Sequence, residues 1–154
     1  MTIEKINLDH IVESTILNLE QEALRKDIKI ESLVDKRIEV LSDFISLDII
    51  ISNYLNNAIA YSPNNSKITI SAEEAYEKIK LSVKDEGEGI PENYKDRVFE
   101  RFFRVDKGRS LNQGGTGLGL SIVKNLASTL SSPVGVENQE PNGASFWIEL
   151  DKST

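Results

Sequence analysis

The apolar positions of this chain switch repeatedly between a period near two and a period near 3.6, and each switch predicts an element boundary. Ile3, Ile6 and Leu8 predict a short strand or lead-in over residues 1–8. Val12, Ile16, Leu19 and Ala23 then form a helical stripe running to about Arg25, with Asp9 as its expected N-cap. Ile28 and Ile30 alternate after a Lys26-Asp27 turn and predict a strand, and 37–41 reads as its hairpin partner. Ser42 or Asp43 is placed to cap a long helix reaching about Tyr61, on which Leu47, Ile50, Ile51, Tyr54, Leu55 and Ala58 share one face. Ser62-Pro63-Asn64-Asn65 breaks it. Ile68 and Ile70, then Ile79, Leu81 and Val83, predict an antiparallel hairpin with a turn at 73–77. A short helix is expected from Pro91, followed by an aromatic segment, Val98 to Arg104, that anchors a polar, mobile loop over 105–114. The final helix is expected from Gly117 to about Leu130, capped by Thr116, with Leu118, Ile122, Val123 and Leu126 inward. Residues 133–136 and 145–150 close the chain as strands turned at Gly143.

With 154 residues, 39% of them hydrophobic and 28% charged, the chain is long enough for one globular domain with a real core. It has no cysteine and one histidine, which excludes a disulfide framework, a thiolate metal site and a histidine-rich metal site. There is no apolar run of membrane-spanning length and no signal-peptide pattern. The net charge of −7 argues against a general nucleic-acid binder. Lys95, Arg97, Arg101, Arg104, Lys107 and Arg109 nevertheless gather six of the eighteen Lys and Arg residues. That patch is either a solvated face, since Asp96, Glu100 and Asp106 are interleaved, or one side of an anion site.

Three stretches carry candidate chemistry. Gly114-Gly115-Thr116-Gly117-Leu118-Gly119 opens the last helix. It is either a flexible loop before a core helix or a turn whose unpaired N–H groups, with the helix dipole behind them, suit phosphate. Asn53 and Asn57 are one turn apart at the edge of the apolar stripe, where amides either look into a pocket or bond neighbouring backbone. Asp85-Glu86-Gly87-Glu88-Gly89 follows a strand: either an acidic turn, or a site where an acceptor-only carboxylate pairs with an exocyclic amine such as that of adenine.

The order Asn53 to Ala58, Asp85 to Gly89, Phe99 to Arg104 and Gly115 to Leu120 resembles the N, G1, F and G2 boxes of the catalytic ATP-binding domain of bacterial sensor histidine kinases, across essentially the whole chain. The resemblance implies an α/β two-layer sandwich of the Bergerat type: one mixed sheet of about five strands, three main helices on one face, and a flexible lid over ATP. It implies that Asn57 ligates Mg²⁺ through its amide oxygen, that Asn53 is a phosphate-side catalytic partner, and that the Tyr61 ring packs on adenine. Asp85 corresponds to the adenine-reading carboxylate, with Gly87, Gly89 and Ile90 lining the base. Arg104 and Arg101 correspond to lid-side cations, Arg104 serving catalysis. Gly115, Thr116, Gly117, Leu118 and Gly119 form the phosphate turn. Residues 104–116 are expected to be poorly ordered without nucleotide.

The activity so implied is transfer of the γ-phosphoryl group of Mg-ATP to a histidine on a separate helical hairpin, in two-component signalling. The partners are that hairpin of the same kinase and a response regulator, with no nucleic acid and no direct membrane contact. The chain corresponds to a single catalytic domain, residues 1–154: a monomeric fragment lacking the hairpin and sensor region, cytoplasmic, and unable to autophosphorylate alone. His10 precedes Ile11 and lies within the expected first helix, so it reads as an ordinary helix residue. Ala60 stands where many members carry Lys or Arg, leaving one phosphate contact to another residue such as Lys107. Two alternatives stay open. An anti-sigma-factor-type serine kinase shares the nucleotide fold but usually keeps a glutamate at the position of Asn53, a general base that an amide cannot replace. A nucleotide-binding scaffold without turnover is the other, and phosphotransfer separates the two classes.

Overall fold

The structure, a computed structural model, describes residues 1–101, 103 and 119–153. Seven strands form one mixed sheet: β1 (Ile3–Asn7), β2 (Lys29–Ser32), β3 (Glu39–Asp43), β4 (Lys67–Ala75), β5 (Lys78–Lys84), β6 (Val134–Asn138) and β7 (Ala144–Lys152). That is two more than the five that the resemblance implies. The order is β1-β3-β7-β5-β4-β2, with β6 on the flank of β7. Helices α1 (Leu8–Asn18), α2 (Glu20–Arg25), α3 (Phe44–Tyr61) and α4 (Gly119–Leu130) accompany it.

Period-two alternation decides which face of the sheet is covered. Ile68, Ile70, Ile79, Leu81, Val83, Phe146, Ile148 and Leu150 are buried, and register sets Leu81 opposite Ile148 and Val83 opposite Phe146. The residues between them, Ser71, Ser82 and Trp147, form a row on the other face. The α3 stripe lies on the apolar side, with Leu47, Ile50, Ile51, Tyr54, Leu55, Ala58 and Ile59 buried. Tyr54 and Phe146 rings meet at 5.6 Å, and the Tyr54 hydroxyl donates to the Trp147 carbonyl at 2.8 Å. Helix and sheet are thereby fixed in register.

Several expectations are corrected. The α1 cap is Asn7, whose extended backbone lets its side chain accept from His10 N–H at 3.0 Å. Asp9 instead sits in the first turn, where its charge suits the helix dipole. The single helix expected up to Arg25 breaks at Leu19, whose N–H is shared between the Thr15 and Ile16 carbonyls. Asp27 then takes a left-handed φ of 53°, and Ile28 N–H reaches back to the Ala23 carbonyl at 2.9 Å, ending α2 in a Schellman turn. Strands β2 and β3 are not a hairpin: β2 runs parallel to β4, and β3 pairs antiparallel with β1 and β7. The β4–β5 turn is only Tyr76-Glu77, since pairing extends to Ala75 opposite Lys78. On α4 the inward residues are Ser121, Val123 and Ala127, while Ile122 is exposed and Leu126 half-buried. Thr116, Gly117 and Leu118 lie outside the described residues, as does the loop expected over 105–114. Asp43 is the α3 cap, accepting from Ser46 N–H at 3.0 Å.

Candidate functional site

The candidate residues converge on the C-terminal half of α3. Asn53, Asn57 and Tyr61 are half-buried, one turn apart each, along the rim of the buried stripe. The Asn53 amide donates to the Ile49 carbonyl at 3.0 Å. Its oxygen faces the start of α4, and a Cβ on Gly119 would lie 3.1 Å from it. The first asparagine and the last glycine of the glycine-rich stretch are therefore neighbours. The Asn57 amide forms no hydrogen bond among the described residues, and an amide oxygen is a hard donor.

The end of α3 is held by Lys26, whose ammonium donates to the carbonyls of Ile59 at 2.8 Å and Ala60 at 3.1 Å. A cation there satisfies carbonyls the helix leaves unpaired and suits the negative end of its dipole. Tyr61 follows directly, and its carbonyl lies where a Cβ on Gly87 would stand, 2.6 Å away. Gly87 is thus required for the Asp85–Ile90 loop to pass against the helix end.

Asp85 is buried at the end of β5. Its Oδ1 accepts from Gly87 N–H at 2.9 Å and Ala144 N–H at 3.1 Å, which leaves Oδ2 without a hydrogen bond among the described residues. Burial pushes the Asp85 carboxyl above the ordinary aspartate value, and the two backbone donors pull the other way. A buried carboxylate with one saturated and one open oxygen is a directional acceptor. Ile90 is half-buried beside the core.

Two residues of this neighbourhood were missed by sequence reasoning. The Asn138 side chain accepts from Ile90 N–H and donates to the Ile90 carbonyl, both at 2.7 Å. Asn142 donates to the Glu86 carbonyl at 2.7 Å. Gly143, expected only as a turn, has φ +102°, and any side chain there would strike the Asp85 carbonyl. The Asn142-Gly143 pair was a visible turn signal, but nothing local says which loop it touches.

In the aromatic segment, Val98 is buried, Phe99 packs edge-on to Phe146 at 6.2 Å, and Tyr94 meets Phe103 at 5.3 Å. The aromatic segment is anchored to the core as expected. Part of the basic patch is paired locally, Lys95 with Glu92 at 2.8 Å and Arg97 with Glu100 at 3.4 Å. Arg101 is exposed and has an interaction partner. Arg104, Lys107, Gly115, Thr116, Gly117 and Leu118 lie outside the described residues. A separate cleft of about 720 Å³ opens beside Tyr61, between Lys26 of the α2–β2 turn, Asn56 and Asn142. Asn53, Asn57 and Asp85 do not line it.

The family model described as histidine kinase-, DNA gyrase B- and HSP90-like ATPase matches residues 42–154. The sensor-like histidine kinase SenX3 of Mycolicibacterium smegmatis is 37% identical over 148 residues, covering 96% of this chain and 38% of that protein. The nucleotide-free catalytic domain of histidine kinase ThkA superposes with a TM-score of 0.87 at 28% identity, over 99% of this chain and 97% of that one. Full-length ShkA in complex with AMPPNP superposes with a TM-score of 0.86 at 26% identity, over 100% of this chain and 32% of that one.

Proposed function

The chain belongs to the histidine kinase-, DNA gyrase B- and HSP90-like ATPase family, and from that premise we propose that it binds Mg-ATP and donates the γ-phosphoryl group to a histidine on a separate helical hairpin. The chain spans 38% of the length of the SenX3 relative, so the transfer partner belongs to the proposal. The observation that supports the reading is the combination of a buried Asp85 whose Oδ2 has no hydrogen bond among the described residues with an Asn53 amide oxygen beside Gly119, on the helix that also carries Asn57. The first suits the exocyclic amine of adenine; the second suits the polyphosphate.

Mg²⁺ fits Asn57 as one hard ligand, since its amide oxygen has no hydrogen bond among the described residues. When bound, the ion would neutralise charge on the phosphates. The chain's own residues orient the nucleotide: Asp85 fixes the base, Tyr61 packs beside it, and Asn53 positions the phosphate end. Arg104, with Arg101, and the turn from Gly115 to Gly119 complete the phosphate cradle in this proposal. Transfer breaks the bond between the γ-phosphorus and the β–γ bridging oxygen, and forms a bond from an imidazole nitrogen to phosphorus, with ADP leaving. An amide at position 53 cannot activate water as a base, which favours transfer over hydrolysis. A response regulator then receives the phosphoryl group.

Binding is tested by melting. Mg-ATP at about 100 times its dissociation constant adds roughly 2.7 kcal/mol to stability and raises the melting temperature. Asp85→Asn keeps the Oδ1 acceptor for both backbone donors but puts an amine opposite the adenine amine. The expected result is a much reduced ATP-induced shift on an apo melt that is unchanged or slightly raised. An equal shift in the variant would remove Asp85 from the base site.

A further inference from the structure

The loop from Asp85 to Ile90 contains two glycines, which alone would leave its backbone free among many conformations. It is held from outside by the β6–β7 turn. Asn138 engages both polar groups of the Ile90 backbone at 2.7 Å. Asn142 engages the Glu86 carbonyl at 2.7 Å and approaches the Gly87 carbonyl at 3.4 Å. Gly89 sits at φ +82° directly under Asn138, and a Cβ there would lie 2.8 Å from its side-chain oxygen. From the inside, Gly87 N–H is spent on Asp85 Oδ1 and Asp85 N–H on the Ala144 carbonyl at 2.9 Å.

We propose that Asn138 and Asn142 are positioning residues that set purine specificity. By engaging both polar groups of Ile90 and the carbonyls of Glu86 and Gly87 they hold the loop so that the open Asp85 oxygen, an acceptor, faces the base edge. A loop released from these amides could rotate a peptide and turn an N–H toward the base. Such an N–H donates to the carbonyl of a 6-oxopurine, which the clamped loop disfavours by leaving two acceptors face to face. This inference deepens the nucleotide reading above and rests on it.

The test measures affinities for Mg-ATP and Mg-GTP by competition against a fluorescent ATP analogue, in the wild type, Asn138→Asp and Asn142→Ala. Asn138→Asp keeps the shape and the bond from Ile90 N–H but sets an oxygen against the Ile90 carbonyl. Asn142 is exposed, so its truncation leaves the core untouched. ATP binding is expected to weaken about tenfold in either variant, while GTP changes by less than about twofold. The preference for ATP over GTP therefore falls at least about fivefold. A purely structural role would weaken both nucleotides together. An unchanged preference, with both affinities held or both lost, overturns the proposal. A wild type that binds neither nucleotide sinks the nucleotide reading instead.

Discussion

At the scale of single residues, Asp85 couples pH to two properties with opposite signs. Burial, the larger influence, raises its folded-state pKa above the ordinary 3.8. Between these values the folded chain holds more protons than the unfolded chain, so the stability of the apo protein falls as pH rises through that window. The base recognition proposed for Asp85 runs the other way, because it needs the ionised acceptor. ATP affinity should therefore decline on acidification at a higher pH than an ordinary aspartate would give, and calorimetric titrations between about pH 4 and pH 7 would follow it. The same decline in Asp85→Asn would assign it to another group. Asp85 stands out in the sequence only together with the other boxes, because a carboxylate before two glycines at a strand end also suits an ordinary acidic turn. Asn138 and Asn142 do not stand out: exposed asparagines near a turn look like turn formers, and their partners are 48 and 56 residues away in sequence.

At the scale of elements, α3 sets the site, and its neighbouring positions should respond in opposite directions. Leu55 is completely buried, and Leu55→Ala is expected to cost 2–5 kcal/mol in urea unfolding with the slope unchanged, about the range for cavity-forming truncations. Asn56 is exposed on the same helix, and Asn56→Ala should be neutral or stabilising by roughly 0.5 kcal/mol through helix propensity. A large loss at position 56 would mean that its amide has a structural partner. The period-3.6 stripe made this helix readable almost to its ends, and Asp43 at its start has the side chain a cap needs. Alternation along β2 and β3 was just as visible, yet it names only the face each strand buries. It does not name the neighbour, so β2 was given to β3 when its partner is β4, which follows it across an intervening strand and helix. Ile122 differs for a related reason: Ser121, Val123 and Ala127 take the inward positions of this helix, and Ile122, next to two of them, is turned outward.

At the scale of the whole molecule, the decisive sequence signal was the order of four weak boxes, because each alone has an ordinary structural explanation. The phosphotransfer assignment is tested by adding an acceptor hairpin in trans with Mg²⁺ and γ-labelled ATP. An acid-labile, base-stable label on the hairpin histidine is the expected outcome. ATP binding without transfer would instead favour a non-catalytic nucleotide scaffold. The one-sided sheet supplies the remaining consequence. Trp147, the chain's single tryptophan, lies on the uncovered face, flat against Gly135, where a Cβ would be 2.5 Å from its ring, with the Lys80 ammonium 4.9 Å above. Beside its four tyrosines the protein therefore carries one tryptophan, on the opposite face of the sheet from α3. Its emission, excited selectively at the red edge, gauges whether β5, β6 and β7 remain joined, and the Tyr54 hydroxyl that grips its backbone carbonyl links it to α3.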